Sequence, residues 1–210
     1  RCTSSAASDV YKRQLLGVSQ TLTIFVGEGV DHILPGGLDH ILFVLALFLS
    51  STTSRSLVIQ ISVFTLAHTI TLGLAATGVI SPPSDIVEPL IALSIALVAI
   101  ENLFFKKPPR WRPIVIFLFG LLHGLGFAGF FGELGLPEGQ FWSALIGFNI
   151  GVEIGQLSVI ILAIAVLSVW RWRNNIEYTD VVYRRFMILP GSLLIGATGS
   201  WWAMERVFLN

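Results

Sequence analysis

Two histidines and an aspartate fall within nine residues in HILPGGLDHILF, residues 32–43, offering His32, Asp39 and His40 as ligands for a cation. Pro35-Gly36-Gly37 makes a hinge between them, so His32 can fold back toward Asp39 and His40 instead of stacking along one helix. Imidazoles with a carboxylate suit a borderline divalent ion such as Ni²⁺, Co²⁺ or Zn²⁺. A plainer reading makes Asp39 the cap of a helix start. Either way the group is expected at the outer mouth of the first membrane-crossing segment.

Four further groups of polar side chains interrupt apolar sequence. In FTLAHTITL, residues 64–72, Thr65, His68 and Thr69 recur at i, i+3 and i+4 and form a polar stripe near mid-membrane. His68 serves there equally well as a ligand or as an interhelical hydrogen-bonding residue. In FGLLHGLGFAG, residues 119–129, His123 stands among Gly120, Gly124, Gly126 and Gly129, which permit close helix approach. In FNIGVEIGQL, residues 148–157, Asn149, Glu153 and Gln156 share a helix face beside a stripe of Gly147, Gly151 and Gly155. A mid-bilayer carboxylate costs on the order of 3 kcal/mol, which favours a functional role for Glu153. In EPLIALSIALVAIEN, residues 88–102, Glu88 suits the positive end of a helix, and Glu101 is expected to pair with Lys106 or Lys107.

The elements that must hold these groups are apolar helices. Six strongly apolar segments run over 36–54, 56–79, 85–105, 112–131, 140–170 and 186–208, after a weaker one at 16–31. Only 12% of the 210 residues are charged, against about 25% in a soluble domain, and the mean hydropathy is +0.78. Thirteen basic residues balance thirteen acidic ones, so nothing points to a nucleic-acid partner. Segments of roughly 20 residues are long enough to cross a bilayer as helices. The expected fold is an all-α integral membrane protein: six transmembrane helices preceded by a short N-terminal interfacial or partial helix.

Lys and Arg set the orientation. They cluster at 106–112 and 171–185, loops therefore expected in the cytoplasm, whereas Asp85, Glu133 and Glu138 occupy loops without basic residues. The six Trp lie toward the segment ends, as an aromatic belt requires. RCTSSAASDVYKRQ, residues 1–14, differs abruptly from the apolar sequence after it and reads as a non-native tail, leaving 15–210 as one transmembrane domain. The only cysteine, Cys2, goes with that tail, so no thiolate is available to the body.

The five patterns in series resemble the HupE/UreJ family of bacterial membrane proteins. A Gly-x-Asp-His box, a Phe-Thr-Leu-Ala-His box and an Asn-x-Gly-x-Glu box carry the likeness over residues 29–157. The resemblance implies a secondary nickel or cobalt permease of the bacterial inner membrane, associated with hydrogenase and urease gene clusters. It carries the family's His/Asp signature onto His32, Asp39 and His40.

The expected function is transport rather than catalysis. His32, Asp39 and His40 would capture the cation outside, and His68, His123 and Glu153 would relay it at mid-membrane, supported by Thr65, Thr69, Glu88, Asn149 and Gln156. No permanently bound cofactor is expected, only transported Ni²⁺ or Co²⁺. The partners are that ion and the lipid bilayer, with a homo-oligomer allowed. The alternative is an intramembrane zinc hydrolase using the same cluster, although no HExxH helix or GxSG box is present. A third reading is a haem protein with bis-His ligation from His68 to His123.

Overall fold

The computed structural model describes residues 17–51, 53–127, 139–174 and 180–209; the tail 1–14 with Cys2, and also Gly129, Glu133, Pro137 and Glu138, lie outside them. Among the described residues every element is helical. In chain order these are α1 (Val18–Ile33), α2 (Leu38–Ser50), α3 (Ser54–Ala76), α4 (Ser84–Phe104), α5 (Arg112–Gly126), α6 (Phe141–Asn174) and α7 (Asp180–Tyr183). A π-helical turn, Arg184–Ile188, then leads into α8 (Leu189–Phe208).

The punctuation of the sequence explains most boundaries. Thr53 precedes α3, and its hydroxyl accepts from the Ser56 N–H at 3.2 Å, satisfying one of the open donors of the first turn. Pro83 stands immediately before α4, where it has no helical bond to lose. Pro190 lies in the first turn of α8, directly after the π turn. Between α1 and α2, Leu34–Gly37 turns the chain through 73°.

Among the described residues, four helical stretches are long and apolar enough to cross a bilayer: α3, α4, α6 and Val181–Phe208. The bent pair α1–α2 makes a fifth. α5 has 15 residues, about 22 Å of helix, against a hydrocarbon core of about 30 Å. The six expected segments are thus all present as helices, but one is short and one is half of a broken pair.

Packing is organised in pairs: α1 lies along α6, α8 along α4 and α5 along α3, with α2 threaded between α4 and α6. Phe43, Val44, Ala46 and Leu47 of α2 are fully buried and form the centre of the core. The α1–α6 seam needs glycine on both sides. A Cβ at Gly29 would collide with the backbone of Phe148 and Val152, and one at Gly151 with the backbone of Val26. This seam makes α1 a partial span built into the bundle, not a helix lying free at the interface. Large apolar side chains such as Leu66, Ile70, Leu93, Leu97, Ile161 and Leu162 point outward. An apolar exterior of this kind is what a lipid-facing surface requires.

One charged group takes a partner different from the one expected. Lys106 and Lys107 are exposed, and Glu101 instead lies within the electrostatic reach of the buried Arg112. The Arg112 guanidinium donates to Asn102 Oδ1 at 3.2 Å, and Asn102 Nδ2 donates to the Ala46 carbonyl at 2.8 Å. The network ties α2, α4 and α5 together at the end where α3 and α5 begin. The reason is desolvation: an arginine in the first turn of a packed helix must find acceptors inside, whereas the lysines reach water. Arg184 completes this end by donating to the Leu103 carbonyl at 2.8 Å, satisfying an open carbonyl at the end of α4.

Candidate metal site

The α1–α2 break carries His32 at the end of one half-helix and His40 at the start of the next. Both reach the interior, where they meet His68 from the middle of α3. One ring nitrogen from each of His32, His40 and His68 lies within 4.8 Å of the others. His123 of α5 completes the group, its ring centroid 5.0 Å from that of His40. His40 is the hub, since its ring also lies 4.8 Å from His32 and 5.7 Å from His68. The two groups expected at separate depths, an outer mouth and a mid-membrane relay, form one cluster. The physical reason is the bend: it carries the Pro-Gly-Gly segment inward to the level of mid-α3 instead of leaving it at the end of a straight helix.

Each anchored ring is held by one nitrogen only. His68 Nδ1 lies 3.0 Å from Asn149 Oδ1, and Asn149 Nδ2 donates to the Leu145 carbonyl at 2.8 Å, which fixes which end of the amide faces the ring. His123 Nδ1 lies 2.8 Å from the Phe119 carbonyl. Asp39 Oδ1 accepts from the His40 backbone N–H at 2.8 Å and from its Nδ1 at 3.1 Å. These acceptors carry lone pairs only, so Nδ1 must bear the proton in all three rings. In a neutral ring Nε2 is then a bare lone pair, the tautomer that metal ligation uses. Nε2 of His32, His40, His68 and His123 is buried, and in each case without a hydrogen-bond partner.

Aromatic walls keep this space apolar. Phe127 lies 3.9 Å from the His32 ring, and Phe148 5.4 Å from it. Phe43 sits 5.3 Å from His123. The Phe64 ring centroid lies 6.3 Å from that of His68 and 5.0 Å from that of His123. These phenylalanines are not distinguished in the sequence by any polar neighbour pattern of their own. Only Phe64 carries a signal, helical spacing: it precedes His68 by four residues.

Of the supporting residues, Asn149 is the direct partner of His68. Thr65 donates to Gln156 Oε1 at 3.1 Å, one turn from the cluster, and Gln156 Nε2 is buried without a partner. Thr69 donates to the Thr65 carbonyl at 2.7 Å. One expected ligand, Glu153, and one expected supporting residue, Glu88, stand apart from the imidazoles. Glu153 is half-buried and accepts from the Ser62 hydroxyl at 2.5 Å, on the outer side of the α3–α6 seam. Glu88 is exposed at the other end of α4, 3.9 Å from Arg206, which also donates to its backbone carbonyl.

Nitrogens 2.1 Å from a common ion can stand at most roughly 4.2 Å apart. A spread of up to 4.8 Å is therefore slightly wider than a closed first shell, and small ring movements would bring the nitrogens onto one ion.

Residues 8–206 match the family model described as HupE / UreJ protein. No curated protein and no solved structure matches the chain. With its apolar helices and nearly its whole length inside that match, the chain is a membrane protein and belongs to the HupE/UreJ family.

Proposed function

We propose that the chain carries a divalent transition-metal cation, nickel or cobalt, across the bacterial inner membrane through its histidine cluster. The observation that carries this reading is the convergence of four imidazoles, three of them locked in one tautomer, with four buried Nε2 atoms lacking partners. An all-nitrogen set suits nickel, cobalt or zinc; copper(I) favours sulfur, and magnesium favours oxygen and keeps its water. The family resemblance narrows the choice toward nickel and cobalt.

Charge favours passage over permanent retention. Four neutral imidazole ligands would add no charge, and Asp39 supplies the carboxylate beside them, so a divalent ion there would keep about one uncompensated charge. In a medium of low dielectric such an ion binds reversibly, as a transported ion must. Glu153 with Ser62, and Gln156 with Thr65, extend polar side chains along the α3–α6 seam and act in this scheme as steps on the path away from the cluster.

Metal accumulation in cells expressing the chain tests the proposal, compared across nickel, cobalt, zinc and manganese. Nickel or cobalt should rise several-fold over cells with empty vector, and manganese should not. No accumulation of any of the four would overturn transport. One zinc per chain that survives chelation, with no accumulation, would favour the intramembrane hydrolase.

The orientation is tested separately. In a Cys2→Ser background, Lys107→Cys should resist a membrane-impermeant maleimide in intact cells and react after permeabilisation. Labelling of Lys107→Cys in intact cells would reverse the topology.

A further inference from the structure

A second site lies at the end of the bundle where α3 and α5 begin. The α4–α5 connection folds beside the first turns of α3 and borders an open cavity of about 470 Å³. Arg55, Lys107, Arg110 and Arg112 all line it, beside Ser56 and Gln60, and no acidic side chain does. Arg112 is only 2% exposed, and its Nε has no hydrogen-bond partner. Glu101 offsets Arg112 electrostatically. Arg55, Lys107 and Arg110 form no ion pair among the described residues, whose side-chain pairs are Asp39–His40 and Glu88–Arg206. Two helix N-termini add their positive dipole ends to the same space. Like charges gathered around a cavity repel one another unless an anion sits among them.

The neighbouring surface narrows the identity of that anion. Thr53 lines this cavity and also a second one of about 590 Å³. The second is a largely apolar crevice between α3 and α6, walled by Leu57, Val58, Leu157, Ile160, Ile161 and Ile164. Along α3 the order runs from Arg55 at the helix end to Leu57 and Val58 farther in. A charged socket opening beside an apolar crevice matches an amphipathic anion lying with its head at the bundle end. Basic clefts between membrane helices hold acidic lipid headgroups in this way. The geometry points to a binding site for one anionic phospholipid, its phosphate among Arg55, Lys107, Arg110 and Arg112 and an acyl chain in the α3–α6 crevice. None of these residues belongs to the histidine cluster, so the assignment stands apart from the ion that the cluster carries.

Native mass spectrometry of the purified full chain tests it, with phosphatidylglycerol and phosphatidylcholine of identical acyl chains competing at equal concentration. Phosphatidylglycerol should be retained in about tenfold preference. Lys107→Gln with Arg110→Gln, both exposed and tolerant of substitution, should lower that preference about tenfold, while Arg173→Gln, exposed and outside the cavity, should not. Ile161→Trp, narrowing the crevice, should weaken phosphatidylglycerol binding as well. Equal retention of the two lipids would overturn the proposal. So would an Arg173→Gln effect as large as that of the cavity pair, which would mark diffuse surface charge. Displacement of the lipid by inorganic phosphate at equal concentration would assign a free-anion site and overturn the lipid.

Discussion

Cells expressing His40→Ala are expected to accumulate no more nickel or cobalt than cells carrying an empty vector. His40 is the one ring adjacent to all three others, so its loss removes a ligand and separates His32 from His123. The same change leaves Asp39 without its imidazole partner and opens space beside Phe64. His40→Gln therefore accompanies it: the amide fills much of that space and still reaches Asp39, so the protein stays folded while the lone pair is lost.

Two contrasts separate ligation from packing. Asn149→Leu keeps all four histidines but frees the His68 tautomer, and should weaken metal binding about 10–100-fold, as loss of a ligand's orienting partner does. Glu153→Gln should leave affinity at the histidines within about twofold of wild type, because Glu153 bonds Ser62 and not a ring. Its effect should fall on uptake. Isothermal titration with nickel on the purified variants reads the affinities. Wild-type affinity in both His40→Gln and Asn149→Leu would remove the cluster from the mechanism.

The second large effect is on folding. Gly29→Val should cost about 3 kcal/mol or more and sharply reduce the folded protein recovered. The first added atom would meet the Phe148 carbonyl and the Val152 amide, backbone groups of α6 that cannot rotate aside. α1 must then lift from α6, taking His32 with it three residues later. Gly27→Val is the matched control, since a Cβ at Gly27 meets nothing. Thermal unfolding in detergent should separate the two variants clearly. Equal melting points would mean that the α1–α6 seam is looser than the backbone contacts require.

The helices were legible because apolar runs and paired prolines mark them unambiguously. Pro83 and Pro113 fall in or beside first turns, and each expected segment contains a helix. The depth of the α1–α2 break was not legible. Hydropathy averages over a window and carries no sign of a bend, so His32 and His40 read as an entrance, whereas the turn brings them to the level of His68. Glu153 shows the limit of helical periodicity. Asn149, Glu153 and Gln156 share a broad face, but at 100° per residue Glu153 stands about 40° from Asn149 and about 60° from Gln156. That rotation suffices to bring Asn149 to the histidines and Glu153 to Ser62. Arg112 looked like one more loop charge, and only packing reveals that it is enclosed with Asn102.

The four imidazoles reside on α1, α2, α3 and α5, and Asn149 adds α6. The outermost rings, His32 and His123, stand far apart in sequence, so no short fragment or half-formed bundle can present the cluster. A ligand gripped by all four therefore binds the native chain and not the unfolded one. By linkage its free energy adds to that of folding: at a hundred times its dissociation constant, about 2.7 kcal/mol. The bend between α1 and α2 would thus turn such a ligand into a transient cross-link, and the unloaded molecule would be the one most exposed to unfolding and proteolysis.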